Sequence, residues 1–128
     1  MGKKLKFLID SNIIIYHLQN NKVASEFITK NINDSAISLI TFIEVLSYPF
    51  TKQQEKKVKE LLNVFEIIEI NCDIAERTIE NFKIKKIKIP DNLILSTAQN
   101  YNLKLVTRNV KDFDSFKVKI LNIFENKI

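Results

Sequence analysis

One feature constrains the fold more than any other. Short β-branched apolar runs alternate with segments of helical spacing along almost the whole chain. The first run, Leu5-Lys6-Phe7-Leu8-Ile9, is ended by Asp10. A short, near-continuous apolar run reads as a strand buried on both faces. Asp10-Ser11-Asn12 then supplies N-cap chemistry for a helix over 13–18. Asn20-Asn21 marks a turn, and Val23, Phe27 and Ile28 predict a second helix ending near Asn31. A second strand is expected over 36–40, and Thr41 opens a helix that Pro49 ends. Residues 52–65 form an amphipathic pattern with Val58, Leu61, Leu62 and Phe65 on one face. A third strand is expected over 66–70. Asn71-Cys72-Asp73 caps a helix running to about Lys85, and Pro90 suits the start of one continuing to Tyr101. Residues 103–106 and 118–121 complete the strands, and 122–128 carry no clear pattern.

Strands separated by one or two helices argue for a three-layer α/β/α sandwich around a mainly parallel central sheet. The chain has 128 residues and contains no linker rich in Pro, Gly or Ser, so residues 1–128 read as a single domain. A core of that size needs no disulfide or structural metal.

Composition removes most chemistries. The lone Cys72 excludes an internal disulfide and a Cys-rich zinc site. The lone Gly2 excludes glycine-rich phosphate loops, and the lone His17 allows at most one histidine base or ligand. Apolar runs fall far short of a membrane span. The basic start, Met1-Gly2-Lys3-Lys4, leads into an apolar run that Asp10 cuts too short for a signal-peptide core, so a cytoplasmic protein is expected. The net charge of +5 rests on Lys, with only Arg77 and Arg108 as arginines, and is compatible with a polyanionic partner. Any catalysis must come mainly from carboxylates, hydroxyls and Lys.

Carboxylates fall where such a sheet binds ligands, beyond the carboxyl ends of its strands. Asp10 follows the first strand, Glu44 lies a turn beyond the second, Asp91 sits in a helix's first turn, and Asp112 follows the fourth strand. Gathered in one cleft they would repel one another unless a cation bound among them. Hard oxygen ligands favour Mg²⁺ or Mn²⁺, and such an ion activates water at a phosphoryl group.

Each residue also has a local reading. Asp10 can cap the following helix. Thr41-Phe42-Ile43-Glu44 fits a capping box, in which Glu44 reaches back to the cap amide. The helix dipole favours Asp91 with or without metal, and Asp112 can be an ordinary exposed acid. His17 reads as a helix-surface or core-edge side chain, Cys72 as a small packing residue, and Lys83, Lys85, Lys86 and Lys88 as a solvated stretch or a phosphate contact. Ser11 and Thr107 read as caps or as groups that orient carboxylates and water.

Four segments together resemble the PIN-domain ribonucleases, in particular VapC-like toxins of toxin–antitoxin pairs. They are Phe7-Leu8-Ile9-Asp10-Ser11-Asn12, Thr41-Phe42-Ile43-Glu44-Val45-Leu46, Pro90-Asp91-Asn92-Leu93-Ile94-Leu95-Ser96-Thr97-Ala98 and Leu105-Val106-Thr107-Arg108-Asn109-Val110-Lys111-Asp112-Phe113. The resemblance implies a PIN-like fold and a Mg²⁺- or Mn²⁺-dependent endoribonuclease with Asp10, Glu44 and Asp91 as metal-binding acids. Many relatives carry an acid where this chain has Asn109, and others carry one at the position of Asp112. Asp112 then completes the site, with Asn109 as a neutral ligand or water-holding group. Ser11, Asn12, Thr107 and Arg108 fall beside the implied site, where they would orient its groups or hold substrate. Also implied are an RNA substrate, a homodimer and a cognate antitoxin. Two other readings stand beside this one: an RNA-processing PIN nuclease without an antitoxin, and a binding module whose site has degenerated at Asn109.

Overall fold

The computed structural model describes residues 4–125, so Met1, Gly2 and Lys3 of the basic start, and residues 126–128, lie outside the described residues. The elements run β1 (Phe7–Ile9), α1 (Ser11–Leu18), α2 (Lys22–Asn31), a 3-10 turn (Ile32–Asp34), β2 (Ser35–Ser38), α3 (Leu39–Leu46) and α4 (Lys52–Leu62). They continue with β3 (Glu66–Ile68), α5 (Cys72–Ile84), α6 (Ile89–Asn100), β4 (Lys104–Val106), α7 (Val110–Phe113) and β5 (Ile120–Leu121). The strands form one sheet in the order β3-β2-β1-β4-β5, and each pairing is parallel.

Two cores show why the sheet has a helical layer on each side. Successive strand residues point to opposite faces. Leu8, Ala36 and Leu105 point into a core with Ile74 of α5 and Ile94, Leu95 and Ala98 of α6. Their neighbours Ile9, Ile37 and Val106 point into a second core with Ile13, Ile14, Ala24, Ile28, Val45, Val58 and Leu62 of α1 to α4. Burial on both faces explains why these strands are continuously apolar instead of alternating.

The topology also places the functional edge. From β1 the chain builds outward through β2 to β3, then returns to lay β4 and β5 on the other side of β1. The order therefore reverses at β1, and an open α/β sheet forms its crevice at such a reversal, beyond the strands' carboxyl ends. Asp10 follows β1 there and Thr107 follows β4, with the Asp10 amide donating to the Val106 carbonyl at 2.9 Å.

Several local expectations are corrected. β2 stops at Ser38, whose side chain accepts from the Ile40 amide and caps α3. Thr41 is thus buried inside the helix instead of capping it, and the capping box expected at Thr41 and Glu44 does not form. A capping box does form at Thr51 and Gln54, at the start of α4. Pro90 is the second residue of α6, because Ile89 already belongs to it. The short α7 had no separate signature in the sequence. Cys72, expected to pack, is exposed as the first residue of α5.

A buried polar network fastens α5 to α6. The Asn81 side-chain amide donates to Asn92 Oδ1 at 3.2 Å, Ser96 Oγ at 3.0 Å and Gln99 Oε1 at 2.9 Å. Asn92 in turn donates to the Thr78 carbonyl at 2.9 Å, and Thr78 Oγ1 meets Ser96 Oγ at 2.9 Å. Among the described residues, no helix is long and apolar enough to cross a membrane.

Candidate active site

Asp10 anchors the site. It is 4% exposed, at the carboxyl end of the central strand. Its Oδ1 accepts from the Ser11 amide at 2.7 Å, and its Oδ2 from the Thr107 hydroxyl at 2.7 Å. Asp10 therefore caps α1 and is tied to the end of β4 by the same carboxylate. Burial raises the Asp10 carboxyl to about 6, and the charges of Asp91 and Glu44 push the same way, while the bonds from Thr107 and Ser11 oppose them.

Glu44 arrives from α3. Released from the expected cap, its Oε1 accepts from Ser11 Oγ at 2.6 Å, and that hydroxyl also lies 3.0 Å from Thr41 Oγ1. Asp91 is half-buried in the first turn of α6. Its carboxyl is raised by burial and then by Glu44 and Asp112, against a smaller opposing effect of Lys88. Asp91 and Glu44 thus lie within electrostatic reach of Asp10, and Glu44 and Asp112 within reach of Asp91.

The neighbouring polar groups form a chain. Asn12 Nδ2 lies 3.4 Å from both Asp10 Oδ2 and Thr107 Oγ1. The Asn109 amide N–H donates to Thr107 Oγ1 at 2.9 Å, and its side-chain amide donates to Asp112 Oδ2 at 2.7 Å. Asp112 is exposed on α7, so Asn109 joins it to the buried part of the site. The Arg108 amide donates to Asn12 Oδ1 at 3.4 Å, at the rim.

A cleft of about 530 Å³ opens over this arrangement. Asp10, Ser11, Asn12, Gln19, Glu44, Asp91 and Asn109 supply its polar lining, and Ile15, Tyr16, Val45 and Tyr48 the rest. Thr107 is buried, one hydrogen bond from Asp10, and Asp112 lies outside the lining. Sequence reasoning missed the aromatic flank and Thr41. Helical spacing carried the signal for Tyr16, four residues beyond Asn12 on α1, whereas Tyr48 lies past the end of α3.

The donor chemistry fits a hard dication. Carboxylates, hydroxyls and side-chain amides are all oxygen donors, as Mg²⁺ and Mn²⁺ prefer. A dication would also offset the raised cost of charging the buried Asp10. Among the described residues, no three His, Cys, Asp or Glu side chains already stand close enough together to hold a metal ion. Ser11 and Thr107 hold Glu44 and Asp10 in their present places.

Comparison with known proteins gives this geometry its setting. The PIN domain family model matches residues 7–119. The chain belongs to the PIN-domain family. It is 28% identical to Ribonuclease VapC2 of Methanocaldococcus jannaschii, over 94% of this chain and 93% of that protein. It is also similar to a solved toxin–antitoxin complex from Klebsiella pneumoniae, with 37% identity, a TM-score of 0.84, and coverage of 94% of this chain and 99% of that one. The PIN fold recurs in DNA-bound VapBC from Salmonella typhimurium, with a TM-score of 0.82 and 22% identity over 93% of this chain and 98% of that one.

Of the remaining titratable candidates, only Lys88 acts on a site acid, through its charge on Asp91. His17 is half-buried, with Nδ1 2.8 Å from Ser25 Oγ, and burial lowers its pKa. Lys83, Lys85, Lys86 and Lys88 are exposed, Lys83 paired with Glu80 at 3.4 Å.

Proposed function

We propose that this PIN protein is a metal-dependent endoribonuclease, acting as the toxin of a toxin–antitoxin pair. The carrying observation is Asp10, a buried carboxylate at the reversal of the sheet with Glu44 and Asp91 in its field. The similarity to a protein named as a VapC ribonuclease supplies the substrate class.

Asp10, Glu44 and Asp91 would hold Mg²⁺ or Mn²⁺ with Asp112 assisting, and the ion would polarise the phosphoryl group and promote ionisation of water. The chain's own groups do the positioning. Thr107 and the Ser11 amide fix both oxygens of Asp10, and Ser11 Oγ fixes Glu44. Asn12 ties Asp10 to Thr107, and Asn109 links Thr107 to Asp112, so one carboxylate cannot rotate without disturbing its neighbours. Ile15 and Val45 line the cleft beside the acids. In the hydrolysis, water's oxygen bonds to phosphorus, a bridging P–O bond breaks, and the departing oxygen takes up a proton.

A cytoplasmic location, a homodimer and a cognate antitoxin belong to the same reading. The solved toxin–antitoxin complex from Klebsiella pneumoniae supports the antitoxin, and the exposed Ile79, Phe82 and Ile89 of α5 and α6 support an apolar interface. Expression should arrest growth, and Asp10→Asn should abolish the arrest while the protein accumulates normally. Equal arrest by both forms would refute the toxin assignment.

A further inference from the structure

The acids account for one wall of the cleft but not for a cationic group at its rim. The Arg108 guanidinium carbon lies 4.5 Å from the Phe124 ring centroid and 5.3 Å from that of Tyr16. The two rings meet edge to face at 5.2 Å and 63°, forming a notch around the cation. Three separate parts of the chain build it: α1, the segment after β4, and the segment after β5.

Arg108 is exposed, yet among the described residues its guanidinium forms no ion pair and no side-chain hydrogen bond. Aromatic faces hold a guanidinium through its plane. Its N–H donors at the edge stay free, and their fork matches two oxygens of a phosphate. The position is also suited to substrate. Tyr16 lines the cleft, and Arg108 directly follows Thr107, which bonds Asp10. A polyanion entering a cleft lined with carboxylates is repelled, and a cation at the rim offsets that repulsion.

We infer that Arg108 is a phosphate subsite, gripping a substrate phosphodiester next to the one that is cleaved. Tyr16 and Phe124 are positioning residues that hold the guanidinium plane, which makes the segment after β5 part of the substrate-binding machinery. The inference rests on the ribonuclease reading. Its competitor is a simple staple, in which Arg108 only fastens the Phe124 segment to α1.

The test combines cleavage kinetics with binding of a short fluorescein-labelled RNA across a salt series, using the full chain. Losing one phosphate contact lowers the slope of log affinity against log salt by about one. Arg108→Gln should therefore lower that slope by about one and raise KM roughly tenfold, with kcat changed far less. Arg108→Lys should keep the slope and recover only part of the affinity, because an ammonium lacks the fork. Phe124→Leu should raise KM with the slope unchanged, and Phe124→Tyr should restore it. If Arg108→Gln lowers the melting temperature but leaves KM and slope as in wild type, Arg108 is a staple and the subsite is wrong. Should wild type neither bind nor cleave RNA with metal present, the ribonuclease reading itself fails and takes this inference with it. The Arg108 pair decides the matter even if a Phe124 variant does not fold.

Discussion

Two polar clusters sit side by side in this molecule and are built on opposite terms. Between α5 and α6, Thr78, Asn81, Asn92, Ser96 and Gln99 are neutral, and each donor meets an acceptor. One residue away from Asn92, Asp91 is harder to ionise, through burial first and then the charges of Glu44 and Asp112, and burial raises Asp10 with Asp91 and Glu44 pushing the same way. A satisfied buried network holds structure together. A cluster of like charges costs stability, and such conflict marks a functional site. The contrast teaches what each is for: the network fixes α6, and α6 presents Asp91 to the cleft.

That comparison can be broken at several points. The largest effect is expected in activity. Asp91→Asn should reduce metal-dependent RNA cleavage by about a thousandfold or more, with a melting temperature no lower than wild type, since one of the opposing charges is gone. Substitution in the network should do the reverse. Asn81→Leu leaves buried partners unpaired, so denaturant unfolding should show a loss of about 3 kcal/mol. If Asn81→Leu were neutral, the network would not be the anchor described here.

A third test uses pH on metal-free protein. Burial raises Asp10 to about 6, so between roughly pH 4 and 6 the folded protein binds a proton more tightly than the unfolded chain does. The contribution of Asp10 to stability is then greatest below about pH 4, declines as pH rises to about 6, and is level above that. The decline amounts to about 3 kcal/mol at most. Melting curves in EDTA should show it in wild type, and Asp10→Asn should be flatter over the same interval. The smallest effect is expected at Asn109→Asp. It replaces a 2.7 Å hydrogen bond to Asp112 with a carboxylate pair, so the metal-free protein should lose about 1 kcal/mol while Mn²⁺ binds more tightly by calorimetry.

Much of this was legible in the sequence, for identifiable reasons. Apolar runs such as Phe7-Leu8-Ile9 announce strands buried on both faces, and the acids at their ends follow from where such sheets open. Local pattern misled at Thr41, because Ser38 lies three residues earlier and offers equally good cap chemistry. The capping-box spacing recurs by chance where a helix has already begun. Cys72 was misread because a cysteine's usual burial says nothing about a particular position at a helix start. Arg108 could be placed beside the site from the sequence, but its seat between Tyr16 and Phe124 could not, since only tertiary structure brings the three residues together. The α5–α6 network was equally hidden: Asn81 and Asn92 look like surface residues until the two helices pack.

The central claim is that the opposed acids become a working site with a metal ion. Initial rates of cleavage of a panel of structured RNAs, measured across a Mn²⁺ titration for wild type and Asp10→Asn, test it most directly. Wild type should be inactive in EDTA and rise to saturation with Mn²⁺, while Asp10→Asn stays at background throughout. Cleavage by wild type in EDTA, or undiminished turnover by purified Asp10→Asn, would contradict the account.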